Sequence, residues 1–163
     1  MADATVFDTV APALSIADFV PLERALGGIL SVPFKQHYLR YNGGAPTNTQ
    51  VPGDDVWEPT EVAMFFSIKH TLPGLNASSE MLEHFQTMRS RNIIPDYFLP
   101  FSWDPGGNFF GLDLLDGTVA YLATDLFDPG LSEVENCTEA KRTVAKSFEH
   151  FAQILQPNPG ANW

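Results

Sequence analysis

The stretch that most constrains this chain is Ile93–Thr124, which reads IIPDYFLPFSWDPGGNFFGLDLLDGTVAYLAT. Asp116-Gly117 accepts the positive φ angles of a two-residue type I′ turn, so the second half predicts a β-hairpin. With that pair as the loop, Leu115 faces Thr118, Leu114 lies opposite Val119, Leu112 opposite Tyr121 and Phe110 opposite Ala123. Side chains alternate along a strand, so the last three pairs share one apolar face, while Asp113, Gly111, Ala120 and Thr124 take the other. A slip of one residue would exchange the two faces. Tyr97–Trp103 predicts a preceding strand, with Pro100 marking an edge or a bulge. Asp104-Pro105-Gly106-Gly107 reverses the chain between them. The expected result is a three-stranded floor for the core.

The remaining elements are expected around that floor. Ser15–Leu26 predicts a helix with Ile16, Phe19, Val20 and Leu26 as its stripe. It begins near Asp18, because Pro21 is tolerated only in the first turn, and ends at Gly27-Gly28. Ser31 is the expected N-cap of a second helix, with Pro33 in its first turn and Phe34, Tyr38 and Tyr41 on one face. Asn42-Gly43-Gly44 stops it by accepting left-handed cap geometry. Ala45–Thr60, with three prolines, reads as a long loop from which Trp57 folds back onto the body. Glu61–Lys69 alternates with both faces largely apolar and predicts a central strand covered on each side. Ser78–Ser90 predicts a third helix with Met81, Phe85 and Met88 on its face. Leu126–Glu135 reads as an acidic loop. Asn136 and Glu139 read as the capping pair of one final helix carrying Ala140, Val144, Phe148, Phe151 and Leu155. The organisation expected is a loose arm over 1–14, a single domain over 15–155 and a tail over 156–163.

A chain of 163 residues is long enough to bury a core as one domain. Its apolar runs are too short to cross a bilayer, and Met1–Val10 holds two acids and no base, unlike a secretory signal. The single cysteine, Cys137, suits a reducing compartment, so the cytoplasm is the expected location. A net charge of −11 repels phosphate and anionic lipid, which argues against nucleic-acid or membrane binding. It fits either plain solubility or a basic protein partner. The acids are unevenly spread, and those after the hairpin arrive before the next base, Lys141. Asp116, Asp125, Asp128, Glu133 and Glu135 are therefore the candidate partner-binding residues, with a merely solvated face as the competing account.

Catalytic chemistry leaves little trace. His37, His70, His84 and His150 have no metal-type spacing, and H-E-x-x-H, C-x-x-C, calcium-loop and G-x-S-x-G patterns are absent. Cys137 could be activated near a helix N-terminus, yet no partner base is evident. Asp104, Asn108 and Asp113 could imitate a metal cluster or an unrecognised hydrolase site, but plain turn chemistry is the stronger account of them. No catalytic residue, cofactor or metal is expected.

Several motifs in order resemble the SUKH superfamily, the cell-wall-assembly-regulator-like proteins. Val32–Gly44 is similar to its proline-led helix ending in N-G-G, and Glu23, Leu26 and Gly27 to its opening E-x-x-L-G. Ile94-Pro95, Leu99-Pro100-Phe101, Gly107-Asn108-Phe109-Phe110 and Leu112-Asp113-Leu114 resemble its "I-P … L-P-F … G-G-N … L-D-L" run. Val144–Phe148 with Phe151 resembles its V-A-x-S-F-x-x-F ending. Val32 stands where the family usually has leucine, and the acids of Leu126–Glu139 match no motif of the family. The resemblance implies an α+β domain with helices packed around a mainly antiparallel sheet. It also implies a non-enzymatic immunity protein that binds and neutralises a toxin domain, often a basic nuclease-like one. The alternative that it implies is a regulatory scaffold docking a cellular protein.

Overall fold

A five-stranded antiparallel sheet organises the computed structural model, which describes residues 5–158. In chain order come β1 (Phe7–Asp8), α1 (Val20–Leu26), α2 (Val32–Arg40), β2 (Ala45–Pro46), β3 (Gln50–Val51), β4 (Thr60–Glu61) and β5 (Met64–Phe65). After them come α3 (Met81–Ser90), β6 (Phe98–Trp103), β7 (Phe109–Asp113), β8 (Val119–Leu122), α4 (Glu133–Ala140), β9 (Lys141–Ala145) and α5 (Phe148–Ile154). The main sheet runs β5-β6-β7-β8-β9, beside two short ladders, β1-β2 and β3-β4, the first of them bridged to β5 where Gly44 and Phe65 exchange backbone hydrogen bonds. The fold is α+β.

The hairpin keeps its predicted faces but not its predicted pairs. Leu112 lies opposite Val119 and Phe110 opposite Tyr121, two residues away from the I′ register. A type I′ turn needs positive φ at both central residues, and only Gly117 has it, at 77°. Asp113 closes a wider loop instead: its amide donates to the Thr118 carbonyl, and its carboxylate accepts the Leu115 amide at 2.8 Å. Because the slip is even, Phe110, Leu112 and Val119 still share one buried face. Across it lie the rings of Phe65 and Phe101, covered by Phe148 and Phe151 of α5. Phe34 of α2 packs on Phe148. The opposite face is covered as well, with Ala120 and Leu122 fully buried. There the Phe98 ring sits on Gly111, where a Cβ would come within 2.2 Å of it. Pro100 is accommodated by a bulge between Pro100 and Ser102, inside the sheet and not at its edge.

Ser31 caps α2 as expected, its hydroxyl accepting the Phe34 amide. Asn42 does more than end that helix. Its buried amide donates to the carbonyls of Pro12 and Lys69 and accepts the Ile68 amide, each at 2.8 Å. Three separate chain segments are joined there. Gly43, at φ 74°, lets the backbone pass so close that a Cβ would touch the Phe65 and Phe66 carbonyls.

Four expectations need correction. Residues 5–11 are not a loose arm, for Phe7 and Asp8 pair with β2 and Phe7 is buried among His37, Tyr41 and Phe65. The strand over Glu61–Lys69 is short and forms an edge of the main sheet, although both its faces are covered. In the first helix Leu22 is buried while Ile16 is largely exposed, because a 3-10 turn over Ile16–Phe19 rotates the start out of the α period. The final helix is two helices divided by β9. Apolar spacing over 140–155 fits a helix, but the open edge of β8 takes Lys141–Ala145 as its partner strand. Ser132 and Ser147 are the N-caps, not Asn136.

Candidate partner-binding surface

The acidic stretch after β8 is an ordered arm. Thr124–Leu126 makes a 3-10 turn, and Phe127 packs against the core. Asp128 accepts the Gly130 amide through Oδ1, which turns the chain toward Ser132. Buried Asn136 then clasps the arm from α4, accepting the Asp128 amide and donating to the Asp128 carbonyl, both at 2.9 Å. This shape presents Asp125, Asp128 and Glu135 to solvent, with Glu133 half-buried. Two aliphatics missed in the sequence join them, Leu126 at 68% and Val134 at 46% exposure. Asp128 and Glu133 also line a depression of about 480 Å³ with Arg91, Asn92 and Ile93.

Asp116 is placed elsewhere. It lies in the loop before β8, whereas the other four candidates follow that strand. The hydroxyl and amide of Thr118 both donate to its carboxylate and hold it below the usual carboxylate range.

The other polar candidates serve the fold. Asp104 accepts the Asn108 amide at 2.7 Å and the Tyr121 hydroxyl at 2.6 Å, and Asn108 accepts the Thr124 amide. Asp113 is not part of that group, being ion-paired with Lys141 at 2.8 Å. Among the described residues no three acids, histidines or cysteines are grouped to hold a metal ion. Cys137 sits inside α4, not at its N-terminus, and burial pushes its thiol up to about 11. His37 is enclosed by the rings of Phe7, Tyr38, Tyr41, Phe65 and Phe148, and its Nε2 has no hydrogen-bond partner. Burial, with the Arg40 charge adding to it, lowers its pKa to about 4. A second depression, about 480 Å³, opens between the α1–α2 connection, the end of β7 and the start of α5, with Ile29 exposed on its wall.

The order of these elements and their motifs has a counterpart among known families. A family model described as SMI1 / KNR4 family (SUKH-1) matches residues 13–153. The chain belongs to that family. Comparison with curated proteins finds no match. The match spans α1 to α5 and so includes the arm of this SUKH-1 domain. Family membership supports protein–protein interaction in general terms. No helix among the described residues is long and apolar enough to cross a membrane.

Proposed function

We propose that this SUKH-1 domain is a non-enzymatic immunity protein that binds and neutralises a basic, nuclease-like toxin domain in the cytoplasm. The observation that carries the reading is the ordered arm, where Asp125, Asp128 and Glu135 surround exposed Leu126 and Val134. Clustered carboxylates steer a cationic partner, and aliphatics between them supply area that gains from losing water. A net charge of −11 extends the same field over the molecule. Asp116 contributes from the far end of β8 as a peripheral charge.

The test is co-expression with the C-terminal domain of a large secreted protein encoded beside this chain, scoring rescue of growth. Asp125→Asn with Asp128→Asn keeps the turn acceptor and removes two charges. It should slow association several-fold at low salt, flatten the dependence on ionic strength and change dissociation less. Equal rates and equal salt slopes in the two proteins would reduce the arm to a solubilising loop. Failure of rescue alongside retained binding of a host regulatory protein would favour the scaffold reading.

A further inference from the structure

The loop between β3 and β4 holds a second exposed apolar feature. Val56 is 78% and Trp57 50% exposed, at the tip of a loop whose Asp54, Asp55 and Glu58 also face solvent. Such a tip would ordinarily be mobile or would bury its indole. This one is held fixed from β9. The Arg142 guanidinium donates to the Glu58 carbonyl at 3.2 Å and to the Pro52 carbonyl at 3.4 Å, and lies 5.5 Å from the Trp57 ring centre. Within the loop, the Asp54 carboxylate accepts the amides of Val56 and Trp57, both at 2.8 Å. Gly53 lets the loop close, since a Cβ there would meet the Trp57 carbonyl at 2.4 Å.

We propose that residues 52–59 form an apolar anchor, with Val56 and Trp57 entering an apolar recess on a cationic protein surface whose basic rim meets Asp54, Asp55 and Glu58. The proposal rests on the toxin-binding reading and names a further contact for it. The guanidinium holds one side of the indole and leaves the rest for a partner to cover. Fixing the loop beforehand removes ordering entropy from the cost of association, and a rigid tryptophan is the residue type that most often dominates an interface. The partner is cationic because three exposed carboxylates, on Asp54, Asp55 and Glu58, outnumber the one half-buried charge of Arg142 and leave the tip net negative. Those carboxylates repel nucleic-acid phosphate and anionic bilayers, so the occupant is a protein. Since β9 follows α4 directly, the clamp and the acidic arm lie on adjoining segments.

The experiment uses the full chain and the toxin domain encoded beside it, with binding followed by surface-based kinetics. Trp57→Ala should raise the dissociation rate tenfold or more, and Val56→Ser about threefold, with association within about twofold of wild type. Val56→Ser keeps the fold's bonds, because only its backbone amide joins the loop network. A thermal melt confirms that both variants are folded. Wild-type dissociation rates in both folded variants would overturn the anchor while leaving the immunity reading in place. No binding of the toxin domain by the wild-type chain would overturn both.

Discussion

Acid should weaken this fold through one residue. His37 is neutral in the folded state, its pKa about 4, because its ring is enclosed by five aromatic rings and Nε2 finds no acceptor or donor. Unfolded, the imidazole takes up a proton near the ordinary pKa of about 6.5. Between those two values the unfolded chain holds more protons, so stability rises with pH there and falls as pH is lowered. At about 1.4 kcal/mol per pH unit, the loss from pH 7 to pH 5 comes to about 2 kcal/mol, and to about 3 kcal/mol by pH 4. For a chain of this size 2 kcal/mol corresponds to roughly 4–8 °C in melting temperature. The perturbation that isolates the effect is His37→Phe, which keeps an aromatic ring in the cluster and removes the titrating group. Urea denaturation of both proteins at pH 5, 6, 7 and 8 gives the comparison. The wild type should lose about 2 kcal/mol more than the variant between pH 7 and pH 5, and contributions from carboxylates common to both cancel in the difference. Parallel pH profiles for the two proteins would refute the reasoning.

Three further outcomes are expected. Asn42→Ala should cost at least about 2 kcal/mol in urea denaturation, because two carbonyls and an amide lose their partner where the side chain is buried. Lys141→Met should cost roughly 2–3 kcal/mol, below the range for a fully buried pair because the lysine side chain is 23% exposed, and Asp113→Asn in that background should recover part of it. Cys137 should resist thiol-specific reagents at pH 8 until the chain unfolds, since burial holds the thiol at about 11, and the test is the rate of modification with and without urea.

What could be read in the chain depended on whether a local rule acted alone. Ser31-Val32-Pro33 announces α2 because capping and proline geometry are local, and Met81, Phe85 and Met88 announce the buried face of α3 by period. The faces of the hairpin were legible for the same reason, as alternation survives a slip of two residues. Its register was not, because Asp113 competes with Asp116-Gly117 for the turn and wins through its own side chain. Nor was β9 legible, since only the edge of β8, far away in sequence, makes a strand of Lys141–Ala145. For the surface, charge showed where acids concentrate. It could not show that Asn136 holds the arm in place and Arg142 the 52–59 loop, because both act on backbone carbonyls that carry no sequence signature.

The docking of β1 bears on where this domain can be cut. The family match opens at residue 13, yet Phe7 fills the cage around His37 and Ala11 bridges to Asn42. A fragment trimmed to the family boundary would flood that cage. Water would reach the imidazole, the neighbouring rings would lose their lid, and an N-terminal protease nick would be as damaging as a core mutation.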